Sequence, residues 1–310
     1  MKIQLNENKI FYNNGKSIQE IHPFWLRERV DGEEFLDKGT QQRLFDPSTM
    51  NGEIIIKKAE IKNGFLEVNF NDGVNSKLDI NKLESEFSNK DIVIKSIPKK
   101  KWDSSLKNVK NFEYKEDFYE SKEMHDLLIS FYEYGFVIIK NVPTENNYIV
   151  KFANSIGSVR RTNFGEHFNV KSKSNPNDLA YTTLHLSPHT DNPYRNPVPC
   201  IQLLHCIENE VSGGYSTLVD GYTVTEKLKK EDPDAYKILT EVKVRFKFTD
   251  KNVMLEDWSE LIHLDDEKNF KQVRFSPRLD YVPMLEKDKL DQYYKARKKL
   301  SDMYNSEKNR

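Results

Sequence analysis

Apolar residues that recur at every second position, in short segments closed by Gly or Asn, commit the first third of this chain to antiparallel strands. From Lys2 to about Ile97 the pattern runs through "KIFYNNGKSIQEIHPFWL", "GEIIIKKAEIKNGFLEVNFNDG", "NSKLDI" and "DIVIKSI". In "GFLEVNF", Leu66, Val68 and Phe70 share one face, with Glu67 and Asn69 on the other. Residues 1–97 therefore read as a small β-rich domain, packed on one side and wet on the other. "PKKKWDSSLKNVKNF" has no sustained period and carries a charge run, so residues 98–112 read as a linker.

Helical spacing enters after the linker. Met124, Leu127, Leu128, Phe131 and Tyr132 predict a helix over Ser121–Tyr134. "GFVIIKNVP" reads as a buried strand, and a second short helix is expected near Glu145–Ile156. "CIQLLHCI" reads as a strand and "VTEKLKKEDPDAYKILTE" as helix, with Asp232-Pro233 marking a fresh helical start. "VKVRFKF" alternates Val242, Val244, Phe246 and Phe248 against Lys243, Arg245 and Lys247, the mark of a strand at a sheet surface. The chain closes on an amphipathic helix in which Leu290, Tyr293, Tyr294, Arg297, Leu300 and Tyr304 recur every three or four residues.

Charge excludes two classes of partner. The 48 Lys plus Arg nearly cancel the 49 Asp plus Glu, leaving no bulk field for nucleic acid or an acidic membrane. The densest basic run, "IPKKKWDSS", reads as a solvated linker. The start of the chain has no apolar core of a secretion signal, and no run of 18 apolar residues occurs, so neither export nor a membrane span is expected. Cys200 and Cys206 lie in the segment read as strand rather than in a cystine framework, which suits a reducing cytoplasm.

The chemistry concentrates in "LAYTTLHLSPHTDNPYRNPVPCIQLLHC", which holds both cysteines and the histidines His185, His189 and His205. Residues i and i+2 of an extended segment point the same way, so His189 and Asp191 could reach one ion. An imidazole and a carboxylate make two thirds of the 2-His-1-carboxylate triad of non-haem Fe(II) sites. The alternative is a capped turn, with Asp191 satisfying backbone donors ahead of Pro193.

The blocks "IHPFWLRER", "GFVIIKNVP", "NDLAYTT", "SPHTDNPYR", "IQLLHCIENEVSGGYSTLVDGYTV" and "KLKKEDPDAYKILT" together resemble the Fe(II)/2-oxoglutarate oxygenases of the TauD/TfdA superfamily. Within it the chain looks most like the gamma-butyrobetaine hydroxylase-like branch, which includes trimethyllysine hydroxylases. The resemblance implies a mainly β fold with flanking helices: a double-stranded β-helix, or jelly roll, over residues 113–310, preceded by the β-rich domain. It implies Fe(II) held by His189 and Asp191, 2-oxoglutarate as co-substrate with Ser216 on its distal carboxylate, and O₂. It also implies hydroxylation of a small quaternary-ammonium substrate such as gamma-butyrobetaine, the chemistry of carnitine biosynthesis, and admits a homodimer.

By the same resemblance Tyr181 faces the trimethylammonium group, Phe164 and Phe168 fall at aromatic positions of that cage, and Tyr194 could add a wall. A quaternary ammonium has no hydrogen to donate, so ring faces recognise it, at roughly 0.5 to 2 kcal/mol per contact. The alternatives are core packing for each ring, and for Ser216 a hairpin residue bonding its own backbone.

Three departures qualify the resemblance. Asn192 stands where gamma-butyrobetaine hydroxylases proper have tyrosine. "RERVDGEEFLDKGTQQR" lacks the cysteines that hold a structural zinc in many relatives, so no zinc is expected. The family's distal iron-binding His and 2-oxoglutarate-gripping Arg lie on strands after the last helix, and the expectation is that this sequence is truncated before them. His205 reads as a core histidine, and His185 and His263 match no ligand position. The competing reading is a truncated or degenerate member that does not turn over and acts as a binding module. A two-ligand metallohydrolase is set aside because no general base neighbours His189.

Overall fold

The computed structural model describes residues 2–50, 52–88, 97–170, 186–210, 212 and 215–310. It divides into two compact units, Met1–Ile97 and Pro98–Arg310. The chain is mainly β with several helices, and among the described residues its sheets have two or three strands each.

In the first unit, β1 (Ile3–Asn6), β2 (Lys9–Asn13) and β3 (Ile18–Glu20) form one antiparallel sheet. A second antiparallel sheet joins β4 (Ile56–Lys62), β5 (Phe65–Phe70) and β6 (Asn75–Asp79). Period two becomes burial here: Leu66, Val68 and Phe70 of β5 lie in the core, while Asn69 is exposed. Helix α1 (Pro23–Arg27) starts at His22, whose Nδ1 accepts from the Phe24 amide, with Pro23 at its first position. Its last residue, Arg27, is buried, paired with Asp72 at 2.7 Å and set over the rings of Phe35 and Phe45. Helix α2 (Ile80–Ser88) stacks Phe87 between Tyr12 and Trp25.

In the second unit, β7 (Asn111–Glu113) pairs in parallel with β8 (Ile138–Lys140) beside α3 (Lys122–Tyr134) and α4 (Tyr148–Ile156). "GFVIIKNVP" thus contributes a three-residue strand, paired with β7 alone among the described residues, and Ile138 is exposed. Gly135 ends α3 at φ 79°, a left-handed value that a Cβ would strain. At the other end the Ser121 hydroxyl accepts from the Met124 amide at 3.2 Å. Ser121→Ala is expected to destabilise this unit by about 1 kcal/mol, read as a lowered urea midpoint.

Within residues 98–112, the segment whose charge reads as a linker, Trp102 is tied to the second unit. Trp102 donates its indole N–H to the Tyr134 carbonyl at 2.8 Å and its backbone N–H to Thr223, and its ring meets Phe136. A charge run hides such anchors because a single half-buried ring with its N–H bonded helps dock a segment.

The larger core gathers around β9 (Lys243–Asp250), which lies between β10 (Val253–Glu260) and the short β13 (Asp280–Tyr281). Val244, Phe246 and Phe248 of β9 are buried, while Lys243 is exposed. Helices α5 (Gly221–Glu231), α6 (Pro233–Glu241) and α7 (Lys287–Asn305) pack on one another beside it. Asp232 caps α6 through the Ala235 amide, with Pro233 at its first position. The buried stripe of α7 is Tyr293, Ala296, Leu300 and Tyr304; Tyr294 turns outward at 48% exposure, since it sits one residue off that stripe. The start of α5 rests on the hairpin of β11 (Ile262–Leu264) and β12 (Phe270–Val273). A Cβ at Gly221 would come within 2.8 Å of Val273, so only glycine allows that approach.

Candidate functional site

Residues 186–210 carry no regular strand, and tertiary hydrogen bonds anchor the His-Thr-Asp run at Thr190. The Thr190 amide donates to the Phe275 carbonyl at 2.7 Å, and the Phe275 amide donates to the Thr190 hydroxyl at 3.0 Å. Thr190 is half-buried by this clasp, while its neighbours His189 and Asp191 are exposed. Phe275 is itself buried against the ring of Tyr304 on α7.

The result is a convergent donor pair. His189 Nε2 lies 3.3 Å from Asp191 Oδ1, and His189 Nδ1 lies 2.8 Å from the Ser187 carbonyl. Hydrogen bonding to Asp191 raises the His189 pKa against the opposing effect of burial, and Ser187 adds to the rise. The charge of Arg278 works the other way. The Asp191 pKa is lowered, first by His189 and also by the Gln202 side chain.

This pair fits a divalent transition metal. Nδ1, donating its N–H to Ser187, orients the ring and leaves Nε2 to face the carboxylate, where an ion would replace the shared proton. Among the described residues no group of three or more His, Cys, Asp or Glu is placed to hold a metal, so the pair stands as two donors. His205, expected in the core, is half-buried, with neither buried ring nitrogen hydrogen-bonded. His263 Nδ1 faces Glu260 at 3.2 Å.

The turn after the pair is built by Asn192 at φ 50°, a left-handed value that asparagine tolerates. Its side chain accepts from the Tyr194 hydroxyl at 2.8 Å, and its carbonyl from the Arg195 amide. Asn192 acts here as a turn residue. The Pro193 carbonyl accepts from Arg274, a buried residue that also pairs with Asp257 of β10.

Three of the expected aromatic residues come together. Phe164, at the corner of the Thr162–Gly165 turn, meets both Phe168 and Phe248. Tyr194 stacks on the same Phe248 at 5.1 Å between centroids, and Arg195 sits over the Tyr194 ring. Tyr194 is only 5% exposed, so it backs the cluster from the core, while Phe168 is 47% exposed. Tyr181 lies outside the described residues, as do His185 and Gly213-Gly214. Ser216 is described and exposed, in a stretch without regular structure.

The strand expected for "CIQLLHCI" does not form: Ile201, Leu203, Leu204 and Ile207 are exposed and have no ladder partner among the described residues. Thr190, Arg274 and Phe248 are the functional neighbours that the sequence did not reveal. Only the alternation of Thr190 with its neighbours hinted at one of them.

Comparison with known proteins shows what the arrangement accompanies. Residues 101–310 match the family described as "Taurine catabolism dioxygenase TauD, TfdA family", a span that takes in most of the segment first read as a linker. A gamma-butyrobetaine dioxygenase of Pseudomonas sp. (strain AK-1) is 33% identical over 57% of this chain and 46% of its own length. The gamma-butyrobetaine dioxygenase of Homo sapiens is 34% identical over the same shares, 57% and 46%. The mitochondrial trimethyllysine dioxygenase of Homo sapiens is 27% identical over 79% of this chain and 59% of its own. The chain spans about half the length of the curated relatives it matches first.

Proposed function

Because the chain belongs to the taurine catabolism dioxygenase TauD, TfdA family, we propose that it is an Fe(II)- and 2-oxoglutarate-dependent dioxygenase that hydroxylates a small trimethylammonium substrate such as gamma-butyrobetaine. The observation that carries this reading is the convergence of His189 Nε2 and Asp191 Oδ1, 3.3 Å apart, on a run anchored through Thr190. When bound, Fe(II) with its chelated 2-oxoglutarate supplies the activation of O₂ that oxidises an unreactive C–H bond.

The chain's own residues do the rest. His189 and Asp191 would hold the ion, and the Ser187 carbonyl, bonded to His189 Nδ1, orients the imidazole for it. Ser216 is assigned to the distal carboxylate of the co-substrate. Phe164 and Phe168 are assigned to the trimethylammonium group, with Tyr194 and Phe248 behind them and Tyr181 as a further wall. We assign residues 113–310 to a jelly-roll oxygenase domain and residues 1–97 to the N-terminal domain of the gamma-butyrobetaine hydroxylase-like branch, without zinc. The names of the relatives support carnitine biosynthesis as the setting. The free, exposed Cys200 and Cys206 suit a reducing cytoplasm.

The test begins with anaerobic titration of the chain with Fe(II) and then 2-oxoglutarate. Air and either gamma-butyrobetaine or trimethyllysine are then admitted. Succinate should form in proportion to hydroxylated betaine. A ternary complex without betaine-dependent succinate would instead make this chain a binding module.

A further inference from the structure

Four arginines lie on the segments that meet where Thr190 is clasped by Phe275, and three are already engaged. Arg195 bonds Asn163 and Asn192, Arg274 pairs with Asp257, and Arg297 of α7 pairs with Asp280 at 2.5 Å. Arg278 is exposed and makes no hydrogen bond or ion pair among the described residues.

Its position is set by the backbone around it. Phe275 is locked to Thr190, the Ser276 carbonyl accepts from the Leu279 and Asp280 amides, and the Pro277 carbonyl accepts from Arg297. Arg278 therefore sits at the tip of a tight turn, three residues beyond the Phe275 backbone that clasps Thr190, the residue between His189 and Asp191. The pair itself is accessible, with His189 28% and Asp191 46% exposed at the side chain.

We propose that Arg278 is a carboxylate-recognising residue at the mouth of the His189–Asp191 site, gripping the anionic end of a small molecule bound there. A guanidinium offers a planar fork of donors that matches a carboxylate, and an unpaired one need not first break an existing ion pair. Two ligands carry that chemistry, the substrate with its carboxylate tail and the 2-oxoglutarate co-substrate. The inference rests on the oxygenase reading for the identity of these ligands, but not for the chemistry of the grip.

The experiment compares wild type, Arg278→Gln and Arg278→Lys, each loaded with Mn(II), by calorimetric titration with three probes. These are gamma-butyrobetaine, its carboxyl-free analogue N,N,N-trimethylbutylammonium, and 2-oxoglutarate. Arg278→Gln should weaken one carboxylate probe about tenfold or more, from loss of a charge-assisted hydrogen bond. Arg278→Lys should restore part of that loss, and the carboxyl-free analogue should bind unchanged to all three proteins.

Loss confined to gamma-butyrobetaine places the substrate's carboxylate on Arg278, and loss confined to 2-oxoglutarate places the co-substrate's there. Equal weakening of the carboxyl-free analogue, unchanged binding of both carboxylates, or a wild type that binds neither carboxylate overturns the inference. If wild type ignores both trimethylammonium probes while its 2-oxoglutarate binding still depends on Arg278, the substrate reading fails and the grip stands.

Discussion

His189→Ala is expected to cost more than ~100-fold in Fe(II) affinity and to abolish betaine-dependent succinate formation, and Asp191→Ala should do the same. The scale follows from the coordination sphere: losing an outer partner of a ligand costs roughly 10–100-fold, and losing the ligand itself costs more. Neither side chain belongs to the buried core, and the clasp that shapes the run is made by Thr190, so both variants should fold as wild type does. Metal affinity by titration, with circular dichroism as the control for folding, checks this. Undiminished Fe(II) binding by both variants would remove His189 and Asp191 from the metal site.

Asp257→Ala is the second large effect, and it acts on stability. Arg274 and Asp257 are 9% and 19% exposed at the side chain, and Arg274 also donates to the Pro193 carbonyl at 3.2 Å. Removing the carboxylate leaves a buried guanidinium with no compensating charge, a change that costs about 3–5 kcal/mol. Replacing both partners, Arg274→Met with Asp257→Leu, should recover most of that loss, because no charge then remains buried. Urea denaturation of the three proteins gives the comparison. A single variant as stable as wild type would show that Arg274 finds water or another acceptor once Asp257 is gone. The double variant also separates stability from geometry: it can restore folding while leaving the Pro193 carbonyl, two residues beyond Asp191, without its tether.

Some of the fold was legible residue by residue. Val244, Phe246 and Phe248 alternate with charged residues, and all three are buried in β9. Asp232 before Pro233 reads as a helix start and caps α6. Elsewhere the same kind of signal misled. "CIQLLHCI" reads as a strand, yet Ile201, Leu203 and Leu204 are exposed and unladdered. A run of apolar residues states what a strand would bury and is silent on whether a neighbour lies there to pair with it. Tyr294 fitted the three-to-four spacing of α7 as well as Tyr293 did. Which of two adjacent tyrosines meets the core depends on where the helix is docked.

The candidate site divides along the same line. That His189 and Asp191 stand two residues apart, within reach of one ion, was legible in the sequence alone. Where this tripeptide is anchored was decided by Phe275, 85 residues away, whose backbone clasps Thr190. Aromatic content near the pair was likewise visible in the sequence. The tertiary structure decided that Tyr194 would turn inward onto Phe248 and that, among the described residues, Arg278 would make no hydrogen bond or ion pair while Arg195, Arg274 and Arg297 do. Side-chain direction follows from local backbone geometry; burial and pairing follow from which distant segments arrive, and no local pattern encodes that.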